Sequence, residues 1–103
     1  MRSVNLYKHL TKTKREYILS KQFLRSATGV GANVSEAERG QSKADFIAKM
    51  YIALKEANET DYWLRLLYAS GYLSDAEYTS ISRDAEELIA MLVSICKTAS
   101  QNQ

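Results

Sequence analysis

The chain has 103 residues, among them 14 Lys+Arg, 12 Asp+Glu and one His, and this length suits one domain over residues 1–103 and leaves no room for a second. A single Cys excludes an internal disulfide framework and a Cys-based zinc site, and no apolar run approaches the ~20 residues of a membrane-spanning helix. We therefore expect a reduced, cytoplasmic protein, and the 46% content of hydrophobic residues excludes the disordered class.

Four helices are predicted, because the chain has no Pro and only four Gly and little else would interrupt long periodic segments. The predicted helices cover about residues 2–10, 14–39, 43–70 and 75–99. Residues 100–103 are predicted to form a polar, frayed tail.

Capping patterns set the predicted helix starts and ends. A Ser or Thr followed three residues later by an acid can satisfy free amides of the first helical turn. Three pairs fit this pattern: Thr13 with Glu16, Ser42 with Asp45, and Ser74 with Glu77. Gly40 and Gly71 precede the second and third pairs, at positions where a helix end favours a left-handed residue.

The predicted fold is all-α, an up-and-down antiparallel four-helix bundle with a short first helix. The connections are only a few residues long, and short connections between long helices make sequential neighbours antiparallel. The first helix covers about a third of the length of the others, since each residue adds ~1.5 Å. One side of the bundle is therefore expected to stay uncovered and to serve as an association surface.

Catalytic and metal-dependent functions have little support among the residues present. His9 is the only histidine, so a catalytic site that pairs a nucleophile with a histidine would have to use this residue of a short basic helix. The paired Glu-x-x-His motifs of di-metal bundles are absent. Glu56 and Glu59 could form a carboxylate pair, although Lys55 and Arg65 offer them ordinary ion pairs. We predict no catalytic residue, no metal and no cofactor.

Several polar and small residues are predicted to have structural roles inside the bundle. Asn33 and Glu36 lie three residues apart on the second helix, and Glu59 lies near the apolar seam of the third. Buried polar side chains need hydrogen-bond partners, which we expect from a neighbouring helix. Cys96 occupies the apolar side of the last helix and is predicted to pack as a small hydrophobic residue.

Positive charge is concentrated in the first half of the chain. Residues 1–49 hold ten Lys/Arg and four Asp/Glu, whereas residues 50–103 hold four and eight. The candidate nucleic-acid-binding residues are Lys8, Lys12, Lys14, Arg15, Lys21 and Arg25, with His9 among them and Glu16 as the only acid. This density suits phosphate contacts, and it equally suits a solvated face. Tyr7 and Tyr17 could stack on bases, yet tyrosines at these spacings more often belong to a bundle core.

Five segments together resemble a known protein family, in order and in separation. They are LRSA at 24–27, GANVSEA at 31–37, SKADF at 42–46, IALKEANETDYWL at 52–64 and SGYL at 70–73. With these segments the chain resembles, over residues 4–96, the bacterial four-helix-bundle family named for open reading frames in 23S rRNA intervening sequences.

The resemblance implies a subunit that assembles into a homopentamer, as characterised relatives do, and it implies no catalytic activity. It also implies kinship with the accessory variability determinant of diversity-generating retroelements, a basic pentamer that binds nucleic acid and a reverse transcriptase. On the family pattern, Asn33, Glu36 and Glu59 are fold-defining polar positions, and the basic N-terminal half is the nucleic-acid face. The first helix begins late relative to typical members.

Two hypotheses about function follow from the residues and the resemblance. The leading hypothesis is a non-enzymatic, cytoplasmic homopentamer that binds structured RNA or DNA through repeated basic patches. The alternative is an oligomeric scaffold for a reverse-transcriptase-like or other protein partner, without direct nucleic-acid binding. Neither hypothesis involves a membrane.

Overall fold

The computed structural model describes residues 2–40 and 42–101, and these residues form four α-helices and no strand. The helices are α1 (Arg2–Lys12), α2 (Ile18–Glu38), α3 (Lys43–Ala69) and α4 (Asp75–Gln101). Each helix packs against the next one along the chain, which confirms the predicted up-and-down four-helix bundle with a short first helix. Of the predicted polar tail, residues 100 and 101 are helical, and residues 102 and 103 lie outside the described residues.

Two of the three predicted helix starts have the expected capping contacts. The Glu77 amide donates to Ser74 Oγ at 3.1 Å, and the Ser74 amide donates to Glu77 Oε1 at 2.8 Å, which is a complete capping box. The Asp45 amide donates to Ser42 Oγ at 3.1 Å. The third prediction, a helix start at Thr13, is wrong, because α2 begins only at Ile18.

The two predicted left-handed glycines differ. Gly71 has a φ of +85° after the end of α3, as expected for a residue that lets the chain leave a helix. The same prediction for Gly40 is wrong, since Gly71 is the only described glycine with positive φ. Gly40 instead makes room for a neighbour, because a Cβ there would lie 2.6 Å from the Asp45 carboxylate.

The core consists of two clusters stacked along the bundle, and only one of them includes α1. The lower core draws on all four helices and contains Leu10, Phe23, Leu64, Leu67, Leu73, Ile81 and Ala85. The upper core draws only on α2, α3 and α4 and contains Val30, Ala37, Met50, Ala53, Ala57, Leu92 and Cys96. The short α1 therefore covers only the lower core. Beside the first residues of α1, a cavity of about 120 Å³ lies between α2 and α4.

Two polar links attach the helices of the lower half to one another. Arg2 at the start of α1 forms an ion pair with Asp84 on α4 and donates to Ser80 Oγ at 2.6 Å. Between α2 and α3, Thr60 Oγ1 donates to Ser26 Oγ at 3.0 Å inside the core. These links fix the position of α1 and α2, and so of the turn that joins them, against the rest of the bundle.

Candidate nucleic-acid interface

The connection between α1 and α2 is a tight turn at the lower end of the bundle. The Thr13 amide donates to the His9 carbonyl at 2.9 Å, and the Glu16 amide donates to the Leu10 carbonyl at 2.9 Å. Arg15 has a φ of +54°, in the left-handed region that residues other than glycine rarely adopt. These features finish α1 and reverse the chain, so that the cations of the turn are exposed.

The carboxylate of Glu16 points inward and caps α2. It accepts hydrogen bonds from the Ser20 amide at 2.7 Å and the Ile18 amide at 3.1 Å, and its side chain is only 8% exposed. Burial by itself raises the pKa of this carboxyl, but the hydrogen bonds donated by the Ser20, Leu19 and Ile18 amides outweigh burial and hold the pKa below its ordinary value. Glu16 thus replaces Thr13 as the cap, and its charge is directed away from the surface.

Five of the six predicted nucleic-acid-binding residues surround this turn. All five are exposed, and none makes an ion pair within residues 2–40 and 42–101: Lys8, Lys12, Lys14, Arg15 and Lys21. We call these five residues the basic end. Because the only acid in this stretch of sequence is turned inward, no carboxylate of the turn itself offsets these charges, and neighbouring like charges add to one positive potential.

The sixth predicted residue, Arg25, lies outside the basic end. Its guanidinium lies 3.2 Å from a carboxylate oxygen of Glu59 and 3.8 Å from one of Glu56, and its Nε donates to Gln22. Arg25 therefore joins α2 to α3, and most of its charge is balanced within the subunit.

His9 borders the basic end on the side that faces α4. Its Nε2 lies 3.6 Å from a carboxylate oxygen of Glu77 and has no hydrogen-bond partner within the described chain. Hydrogen bonds from the Ser74 amide and hydroxyl, with smaller contributions from the charges of His9 and Lys14, hold the pKa of Glu77 below its ordinary value. This acid is committed to capping α4, and it marks the edge of the cationic surface.

None of the three predicted structural polar residues is fully buried, in contrast to the expectation: Glu36 is exposed, and Asn33 and Glu59 are half-buried. Asn33 Nδ2 donates to the Gly29 carbonyl of its own helix at 2.8 Å. Glu36 pairs with Lys49 across α2 and α3 at 2.9 Å, and this contact holds the pKa of the Lys49 ammonium above its usual range. Glu59 pairs with Arg25, so two of the three residues link neighbouring helices.

Cys96 lies in the upper core and is 3% exposed. Burial raises the pKa of its thiol. A buried, protonated thiol is a weak nucleophile, so Cys96 packs there as a small hydrophobic residue.

Sequence reasoning missed the exposure of Tyr17 and Ile18 at the start of α2. Their side chains are 59% and 76% exposed, whereas Tyr7 is half-buried. A signal was available in the helical spacing. Tyr17 and Lys21 lie four residues apart, and neither falls on the spacing of three that joins the buried positions Ser20, Phe23 and Ser26.

A second exposed surface lies on α3. We call Tyr51, Ile52, Lys55, Asn58 and Tyr62 the α3 outer face, and all five are exposed. Tyr62 is held edge-on against Trp63, with ring centroids 4.9 Å apart. This face borders an open hollow of about 690 Å³ that also includes Arg25. Tyrosine, tryptophan and arginine are the residue types most enriched in protein–protein interfaces.

Residues 2–40 and 42–101 contain no group of three His, Cys, Asp or Glu side chains placed to hold a metal ion. None of the four helices, as far as the structure describes them, has the length and hydropathy needed to cross a bilayer.

Comparison with known proteins links the chain to a protein family and to a solved structure. The family model described as 23S rRNA-intervening sequence protein matches residues 1–94. A crystal structure of a protein of unknown function from the S23 ribosomal protein family of Bacteroides thetaiotaomicron VPI-5482 is similar to the chain. The two are 54% identical and superpose with a TM-score of 0.91, over 93% of this chain and 89% of the neighbour. A search of curated proteins finds no significant match.

Proposed function

Because the chain belongs to the 23S rRNA-intervening sequence protein family, we propose that it is a cytoplasmic, non-enzymatic protein that assembles into homopentamers and binds RNA through the basic end. The observation that carries the proposal is the arrangement of the α1–α2 turn. Five cations are exposed there without an ion pair inside the described chain, while Glu16 is buried under them as a helix cap.

Unpaired surface cations are well suited to phosphate binding because they displace the counterions of a nucleic acid. Each phosphate that is neutralised contributes about 0.7 to 0.9 to the slope of log affinity against log salt. Five cations could therefore give a slope of up to about −4 for each subunit. A ring of subunits would repeat the basic end around one axis and raise the avidity for a long polyanion.

The self-association part of the proposal is supported by the α3 outer face. Two tyrosines on this face are about half exposed, Tyr51 at 47% and Tyr62 at 51%. A helix that is apolar on several sides is normally buried on several sides. A second copy of the chain would cover this face and remove the tyrosine rings from water.

The experiment that tests RNA binding measures the affinity for a labelled RNA hairpin between about 50 and about 200 mM salt. The wild-type protein should bind with a steep, log-linear salt dependence. A variant of the basic end should lose affinity and show a shallower slope: Lys12→Ala, Lys14→Ala and Lys21→Ala. A control variant removes the same charge elsewhere and should bind as the wild type does: Arg39→Ala, Arg83→Ala and Lys97→Ala. These control cations are exposed and lie away from the turn.

Two outcomes would overturn the RNA-binding proposal. Equal losses in both variants would show that only net charge matters and that the basic end is not the site. Absence of binding at the lowest salt would favour the second candidate, a scaffold whose basic end docks an acidic or polymerase-like protein partner.

A further inference from the structure

Tyr17 places an exposed aromatic ring within the basic end. It is the N-terminal flanking residue of α2, and its side chain is 59% exposed. Within the described chain the ring stacks on no other aromatic residue and its hydroxyl makes no hydrogen bond. Exposure of a large aromatic ring to water without a partner is unfavourable. The cations of the basic end surround this ring.

The fold holds Tyr17 in this position through its neighbour. Glu16 must point inward to accept the Ile18 and Ser20 amides, so the next residue of the chain is turned outward. Lys21 lies four residues after Tyr17, in the first turn of α2, and its side chain is exposed. An exposed aromatic ring and an exposed ammonium group therefore lie at the same end of α2.

We propose that Tyr17 is a stacking platform for an unpaired base, so that the basic end binds single-stranded RNA, or single-stranded segments of folded RNA, in preference to duplex. This inference rests on the proposed function and specifies its ligand. The ring stacks on the base while Lys21 and the cations of the turn hold the flanking phosphates. Bases inside a duplex are already stacked and cannot reach the ring, whereas loops and ends present free base faces.

Other surfaces with exposed aromatic residues lack this combination. The α3 outer face also has an exposed cation, Lys55, beside its tyrosines, but the Tyr51 hydroxyl is hydrogen-bonded to Ser100 Oγ at 3.0 Å and the Tyr62 ring packs edge-on against Trp63. Tyr68 stacks on Tyr78 at 4.3 Å and donates to an Asp75 carboxylate oxygen. Tyr17 combines an exposed ring that has no stacking or hydrogen-bond partner within the described chain with neighbouring unpaired cations of the basic end.

The test compares two labelled RNAs, a single strand of about 12 nucleotides and a blunt duplex of the same sequence, over the same series of about 50 to about 200 mM salt. Wild-type protein should bind the single strand more tightly. Stacking of one base on an aromatic ring is worth about 1–3 kcal/mol, so Tyr17→Ala should weaken single-strand binding roughly 5- to 150-fold. Duplex binding and the salt slope should not change, because no charge is removed. Tyr17→Phe should retain single-strand binding.

Tyr62→Ala is the matched control, since this ring is 51% exposed but lies outside the basic end, and it should leave both affinities unchanged. If Tyr17→Ala leaves single-strand binding intact while both RNAs still bind with a steep salt dependence, the stacking platform is overturned and the proposed function stands. If neither RNA binds even at low salt, the proposed function fails and the platform fails with it. Circular dichroism melting of each variant checks that the helices are preserved.

Discussion

The Ser20 amide donates a 2.7 Å hydrogen bond to Glu16 Oε1, and this contact links the capping of α2 to the positive charge of the basic end. The Ser20 hydroxyl returns a hydrogen bond to the Glu16 carbonyl at 2.7 Å. A free amide of the first helical turn is satisfied by the only acid in the turn. One residue therefore caps the helix and keeps negative charge off the cationic surface.

Replacing Glu16 by Gln should destabilise the protein by about 1 kcal/mol at neutral pH, within the usual range for loss of a helix cap. The amide side chain retains one acceptor, but it lacks the negative charge that suits a helix N-terminus. Urea denaturation at fixed protein concentration measures the change. Glu87→Gln is the control, because Glu87 is exposed and makes no ion pair within the described residues, and it should change the stability little.

The stabilisation by Glu16 should depend on pH in a defined direction. The folded-state pKa lies below the ordinary value of 4.5, so the ionised carboxylate stabilises the fold at pH values above 4.5. This contribution is lost as the pH falls through the folded-state pKa. The stability difference between wild type and Glu16→Gln should therefore shrink as the solution is acidified below pH 4.5. A difference that stays constant down to strongly acid pH would contradict the inward, hydrogen-bonded carboxylate.

The two residues that the sequence suggested as caps of α2 and α4, Thr13 and Ser74, should respond differently to replacement by Ala. Ser74→Ala removes half of a capping box and should cost about 1 kcal/mol. Thr13→Ala should cost less than about 0.5 kcal/mol, because Thr13 lies within the α1–α2 turn and caps no helix. Thermal unfolding of both variants measures the two losses of stability. A larger loss of stability for Thr13→Ala than for Ser74→Ala would place the start of α2 at the position that the sequence first suggested.

The parts of the fold that depend on neighbours in sequence could be predicted. The Ser74–Glu77 box and the left-handed Gly71 need only residues within one helical turn, and both were found. The order of the four helices followed from the same local marks. Capping chemistry acts over a few residues, so a short window of sequence contains most of its determinants.

Contacts between distant residues could not be predicted from the same marks. Arg25 was grouped with the basic cluster, but its carboxylate partner Glu59 lies on another helix, far along the chain. The delayed start of α2 depends on the left-handed turn at Arg15, which follows from how α1 packs on α2. The exposure of Tyr17 depends on that turn too, and only the folded chain shows it.

Leu10 should be the residue that attaches α1, and with it the basic end, to the bundle. It is the buried residue of α1 and lies fully inside the lower core. Leu10→Ala should destabilise the protein by about 2–5 kcal/mol, because it removes buried methyl groups and leaves a cavity. Ile18→Ala, with a side chain that is 76% exposed, should change the stability by less than about 0.5 kcal/mol. Equal effects of the two changes would contradict the packing of α1 onto the lower core.

The α3 outer face gives the prediction that separates self-association from RNA binding. Tyr51→Glu together with Tyr62→Glu places two charges on an exposed surface, so the isolated subunit should tolerate them. An interface that buries this face would have to desolvate both carboxylates, which is costly without a cationic partner. The molar mass measured by light scattering after size exclusion should therefore fall from that of the oligomer to that of the monomer.

Val93→Glu is the matched control for this surface, because Val93 is an exposed apolar residue of α4, with 47% of its side chain accessible. The control should keep the molar mass of the oligomer. If Val93→Glu dissociates the oligomer and the two tyrosine substitutions do not, the interface between subunits lies on α4 and not on the α3 outer face. The dissociated variant keeps the basic end, so it should still bind RNA with the wild-type salt slope per subunit but with weaker total affinity, because avidity depends on linked copies of the site.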